Sequence, residues 1–132
     1  MSDKLKLSTE ATNKLNNLSS GLNLRKNIIC RIAIGCSLGM KEPIEKCDED
    51  YAGLEFNKTT IIGADEFAIV AMMANQSNHL INMDNYFNVE IRAHIIRGLN
   101  RMDEMYSCIN SPVEFMKKLC GLNDENEINQ IL

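Results

Sequence analysis

A chain of 132 residues, 45% of them hydrophobic, is one domain's worth of protein with enough apolar side chain to bury a core. No apolar run approaches the roughly 18 residues that span a bilayer, and Met1-Ser2-Asp3-Lys4 opens no signal-peptide stretch, so a cytoplasmic protein without a membrane partner is expected. The net charge of -4 is unevenly spread, with seven basic residues against two acidic ones in 1–41 and seven against sixteen in 42–132, and because phosphate attraction acts over about 8 to 10 Å a basic N-terminal face survives on an acidic body.

Lys4-Leu5-Lys6-Leu7-Ser8 alternates charged and apolar residues with period two, the pattern of a short strand with one face buried. Ser8 or Thr9 caps a first helix in which Ala11, Leu15, Leu18 and Leu22 recur at helical spacing, and Gly21 supplies its stop. A second helix from about Asn23 or Leu24 to Leu38 buries Ile28, Ile29, Ile32, Ala33 and Cys36 and ends near Gly39. Residues 41–52, with Pro43 and Asp48-Glu49-Asp50, read as a solvated, mobile loop, and the segment from Glu55 to Gly63 as an extended stretch or irregular turn.

The spacing of Phe67, Ile69, Val70, Met72 and Met73 predicts a third helix over about 64–81. A fourth begins at or after the possible cap Asn88 and aligns Ile91, Ile95, Leu99, Met102 and Tyr106 on one face. Ser111-Pro112-Val113-Glu114 is a capping box with proline at the first helical position, opening a short fifth helix to about Leu119. Gly121 would end it, and residues 124–132 add a last weak turn. The expected fold is mainly α, a single domain over 1–132: a short strand with two helices (1–40), a loop and extended segment (41–63), and further packed helices (64–132).

Five cysteines without a C-x-x-C pair predict reduced thiols and no metal. The only histidines, His79 and His94, are too far apart for a metal-ligand pair on one helix, and Gly53, Gly63 and Gly98 form no nucleotide-binding loop, so no cofactor and no catalytic residue is assigned. His94 beside Arg97 has two readings, a phosphate contact or nicking residue, and a structural polar contact holding its helix against the Glu55 to Gly63 segment. Strand scission needs a metal, base or nucleophile constellation, and only scattered parts are present, which favours the structural reading. Glu55 is a candidate ion-pair partner for Arg92 or Arg97.

A strand of alternating Lys and Leu followed by two such helices resembles a ribbon-helix-helix unit, in which two chains pair their strands into a ribbon that enters the DNA major groove. Leu5 and Leu7 would then face the helices, and Lys4 and Lys6, with Ser8 beside them, the groove. The second helix would aim its free N–H groups at a phosphate with help from Arg25, Lys26 and Asn27. Lys14 and Arg31 complete the candidate DNA-binding set. The plainer reading makes Lys4 and Lys6 the solvated face of an edge strand.

Four blocks, Leu5-Lys6-Leu7-Ser8, Asn27-Ile28-Ile29-Cys30-Arg31-Ile32-Ala33 with Ser37-Leu38, Glu55-Phe56-Asn57-Lys58-Thr59-Thr60-Ile61-Ile62-Gly63 and Arg92-Ala93-His94-Ile95-Ile96-Arg97-Gly98, follow in this order over residues 4 to 101. Together they resemble the DndE family of DNA sulfur modification (phosphorothioation) proteins. The resemblance implies a mostly helical, non-catalytic subunit that binds duplex DNA, including nicked duplex, with little sequence preference and assembles as a tetramer. Its partners would be the sulfurtransferase-like and ATPase-like subunits of a complex that replaces a non-bridging phosphate oxygen by sulfur. The acidic loop around Asp48 to Asp50 and the tail after Met102 depart from the family pattern. The alternative is a stand-alone ribbon-helix-helix repressor, for which the first 38 residues would suffice.

Overall fold

The alternation at the start of the chain forms β1 (Lys4–Lys6), with Leu5 buried and both lysines exposed. In the computed structural model, which describes residues 4–45, 47–78, 80–109 and 111–119, β1 pairs within its own chain. It lies antiparallel to β2 (Glu55–Asn57), with Lys4 opposite Asn57, Leu5 opposite Phe56 and Lys6 opposite Glu55. The ladder continues past the strand, the Leu7 amide donating to the Leu54 carbonyl at 2.9 Å and the Gly53 amide to the Leu7 carbonyl at 2.8 Å. The expectation that this strand needs a second chain is therefore corrected: residues 53–57 meet its hydrogen bonds. Gly53 is required there, because a β-carbon would fall 2.7 Å from the Leu7 carbonyl oxygen and closer still to that of Ser8.

Helix α1 (Thr9–Leu22) is capped by Ser8, whose hydroxyl accepts from the Ala11 amide at 3.0 Å. It ends at Asn23 in the left-handed conformation (φ 56°), not at Gly21. Gly21 sits inside the last turn because the Tyr106 ring occupies the place of a side chain, with its ζ carbon 2.7 Å from where a β-carbon would lie. Helix α2 (Lys26–Leu38) buries Ile29, Cys30, Ala33, Ile34 and Ser37 and stops at Gly39. Ile28, expected inside, is 36% exposed, since the buried stripe runs through 29, 30, 33, 34 and 37.

After β2 the chain turns through α3 (Lys58–Ile61) and a 3-10 turn (Gly63–Asp65) into α4 (Glu66–Ser77), shorter at both ends than expected and closed by Asn78 at φ 60°. A π turn over Phe87–Ile91, in which the Ile91 amide reaches back to the Tyr86 carbonyl at 2.9 Å, leads into α5 (Arg92–Ser107). Helix α6 (Pro112–Leu119) starts as the capping box predicts, the Glu114 amide donating to Ser111 Oγ at 3.2 Å. The expectations for Gly121 and residues 124–132 lie outside the described residues.

The architecture is mainly α, a strand and two helices leading into further packed helices. Helix α5 is its axis, packed against α1, α2 and α6. Ile95, Leu99 and Met102 meet Leu15 and Leu18 of α1, Ile29 and Ala33 of α2, and Phe115 of α6 in one apolar core. The loop over 41–52 is fastened rather than free. Ser8 Oγ donates to Glu49 Oε1 at 2.6 Å, and Asp50 Oδ1 accepts from the Thr9 amide at 3.0 Å and the Ala52 amide at 2.9 Å. Its acidic residues thus serve the N-terminus of α1, where negative charge is favoured. Among the described residues no helix is long and apolar enough to cross a membrane.

Candidate nucleic-acid interface

The seven candidate DNA-binding residues divide by what holds them. Lys4 and Lys6 lie on the exposed face of β1, and Lys4 Nζ is 3.9 Å from Glu55 Oε2. Glu55 therefore pairs with Lys4 rather than with Arg92 or Arg97. Arg25 and Lys26 are exposed at the start of α2, Asn27 is half-buried beside them, and no side chain caps this helix. Its first N–H groups thus have no side-chain acceptor from Arg25, the cap residue. Lys14 is drawn to the junction of α1 and α5, its Nζ 2.7 Å from Asn100 Oδ1 and 3.1 Å from Glu10 Oε1. Arg31 holds the end of α3, its Nε donating to the Ile61 carbonyl at 2.9 Å and Nη2 to the Thr60 carbonyl at 3.0 Å. Ser8, expected beside the groove-facing lysines, is buried as the α1 cap.

The block from Arg92 to Gly98 is the buried polar centre of the fold. Arg92 is 2% exposed, and its Nε donates to the Lys6 carbonyl at 2.6 Å, Nη1 to Cys47 Sγ at 3.4 Å, and Nη2 to the carbonyls of Glu49 and Asp50. The Tyr51 ring covers it at 3.9 Å. Arg97 reaches α2, donating from Nε to Ser37 Oγ and from Nη2 to the Ser37 carbonyl, both at 2.8 Å, and from Nη1 to the Glu42 carbonyl at 2.7 Å. Ser37 Oγ also lies 2.8 Å from His94 Nδ1, so one buried hydroxyl joins both side chains of α5 to α2.

Burial, helped by the Arg97 charge, pushes the His94 pKa down to about 4. The ring is neutral at pH 7 and makes a structural contact. That contact is to α2, not to the Glu55 to Gly63 segment. Burial also pushes the Cys30 thiol up to about 12, which removes it from thiolate chemistry. Among the described residues no group of three or more His, Cys, Asp or Glu side chains is arranged to hold a metal; His79 and Cys120 lie outside them.

Sequence reasoning missed Arg92 as the residue that ties β1 to the acidic loop. The available signal was an arginine one residue from Ile91 and at helical spacing from Ile95 and Ile96, the buried face of its helix, where a charge demands polar partners. It also missed the π turn, whose insertion leaves no mark in hydrophobic periodicity. No individually curated protein matches the chain. The family model described as DNA sulphur modification protein DndE matches residues 4–110, from β1 to just past the end of α5.

Proposed function

The chain belongs to the DndE family of DNA sulfur modification proteins, and on that premise we propose that it binds duplex DNA, intact or nicked, with little sequence preference and as a homo-oligomer. Membership makes it a non-catalytic component of a multi-subunit phosphorothioation system. The sulfurtransferase-like and ATPase-like subunits are the partners proposed for it, and one domain over 1–132 is proposed as the folding unit.

The observation that carries DNA binding is the exposure of Lys4 and Lys6 on β1 and of Arg25 and Lys26 at the start of α2, within the basic first third of an acidic chain. Phosphate contacts need such reach and carry no sequence information, which suits a protein serving many sites. Lys14 and Arg31 act instead through the fold, by holding α5 and α3. The ribbon repressor has less support, because its strand would have to leave β2 to pair with another copy. A tetramer is proposed to form through apolar surface on α4 and the segment after it, where Phe67 is 88% and Leu80 92% exposed.

Fluorescence anisotropy on intact and nicked duplexes of two unrelated sequences, across a salt series, tests this reading. Lys4→Glu with Lys6→Glu, and separately Arg25→Glu with Lys26→Glu, should weaken binding to every duplex alike, flattening the slope of log affinity against log salt by about 0.9 per lost contact. Unchanged slopes in both pairs would place the DNA site elsewhere, and protection of one palindromic operator would restore the repressor.

A further inference from the structure

The two basic pairs proposed to meet DNA have different neighbours. Arg25 and Lys26 open α2, which has no acidic residue in its first turn, within a stretch free of Asp and Glu from Ala11 to Lys41. Lys4 and Lys6 stand instead beside carboxylates brought by two other segments. Glu55 lies directly across the β ladder from Lys6, on the face the two lysines share, and its Oε2 is 3.9 Å from Lys4 Nζ.

The loop before β2 adds two more. Ser8 Oγ donates to Glu49 Oε1 at 2.6 Å, and the Thr9 amide and hydroxyl donate to Asp50 Oδ1 at 3.0 and 3.1 Å, just past the strand. Arg92 fixes this placement, because its one guanidinium donates to the Lys6 carbonyl and to those of Glu49 and Asp50. The Ala52 and Thr9 amides hold Asp50 below the usual carboxylate range, so its charge is present at neutral pH. Even with Lys46 counted in full, although it lies outside the described residues, Lys4, Lys6, Arg92 and Lys46 are matched by Asp48, Glu49, Asp50 and Glu55. A strand that reads as basic in the sequence thus has no net positive charge around it, whereas the start of α2 keeps its own.

We infer that Glu49, Asp50 and Glu55 restrain nucleic-acid binding at β1, competing with phosphate for Lys4 and Lys6 and keeping this end of the surface weaker than the start of α2. The inference rests on the reading of β1 as part of a DNA surface. It gives the acidic loop a second consequence besides serving the N-terminus of α1: the contacts that build the fold also set a ceiling on affinity.

Fluorescence anisotropy of the full chain on one duplex at low salt tests it with isosteric variants. Glu49→Gln, Asp50→Asn and Glu55→Gln each remove a charge and keep an acceptor oxygen. Each should tighten binding about threefold, the effect of one unit charge several Å from a phosphate in water, and the gain should shrink as salt rises. Glu55 is exposed and its ion pair is with Lys4, so Glu55→Gln decides the matter even if the two loop variants disturb the fold. Glu104→Gln makes the same change in net charge twelve residues along α5 from Arg92, about 18 Å away and some two Debye lengths, and should leave affinity nearly unchanged. Gains no larger than that of Glu104→Gln would overturn the restraint and leave DNA binding standing. Unchanged binding in Lys4→Glu with Lys6→Glu would instead remove β1 from the DNA surface, and the restraint with it.

Discussion

Arg92 shows at the scale of one residue how a charge becomes tolerable inside this fold. Four of its five N–H groups are met, by the carbonyls of Lys6, Glu49 and Asp50 and by the Cys47 sulfur, which offsets most of the cost of taking the charge out of water. Lysine at 92 would keep the charge but cannot reach these separate acceptors at once. Arg92→Lys should therefore lower stability by about 2 to 4 kcal/mol, read as a lower urea midpoint at unchanged slope. His94 supplies a pH dependence with a definite sign. Its pKa is about 4 when folded and near 6.5 otherwise, so the unfolded chain binds the extra proton. The associated stability is present above pH 6.5 and is lost as pH falls toward 4, up to about 3 kcal/mol. Asp50 is held below the usual carboxylate range mainly by the Ala52 amide, and Glu66 by the Tyr86 hydroxyl; they add losses only below about pH 4.5. Urea titrations between pH 7 and 4.5 should show the decline, and His94→Asn should flatten it.

Between elements, the closest approach is α5 on α2 at Gly98. A β-carbon there would lie 2.7 Å from the Ala33 Cα and nearer still to its carbonyl, and both are backbone atoms that cannot swing aside. Gly98→Ala gains about 1 kcal/mol of helix propensity but must push the two helices apart, a net loss of about 3 kcal/mol or more. Gly35, on the same α2 helix, would meet nothing within 4 Å. Gly35→Ala should therefore stabilise by about 0.5 to 1 kcal/mol. Thermal melts of the two variants must move in opposite directions; a shared direction would mean that the helices do not touch at Gly98. The capping box at Ser111 and the alternation of residues 4–7 were legible because each is a contact between near neighbours in the chain. The partner of β1 was not, since Leu5 and Phe56 are brought together only by the folding of the fifty residues between them.

At the scale of the whole molecule, intrachain pairing of β1 moves the argument for assembly from the strand to α4. Phe67 and Leu80 lie almost wholly in water, with Met72 and Met83 half exposed, a concentration of apolar side chain that a second copy would cover. Phe67→Asp with Leu80→Asp should yield a folded, smaller species by sedimentation, because neither residue is part of the buried core. An unchanged mass would send the interface to another face. Leu5→Asp with Leu7→Asp would report something else: both leucines are within 1% of full burial, so the double variant should unfold the monomer rather than dissociate it.

The sequence by itself determined what depends on short-range order: a mainly α chain with a buried-exposed alternation at its start, the Ser8 and Ser111 caps, the faces of α1 and α5, the uneven charge, and four blocks enough to point to the DndE family. Tertiary structure decided which polar residues are spent on the fold. Lys14, Arg31 and Arg92 are all basic residues in the sequence, yet their hydrogen bonds go to Asn100, to the end of α3 and to the loop before β2. Seen as sequence, Glu90 is one acid among eighteen; its unmet oxygen exists only because the π turn and the surrounding packing bury it. The physical reason is common to all of them. A charge's partner is set by distance in space, which side-chain type and local spacing do not encode, whereas capping and periodicity act within a few residues along the chain.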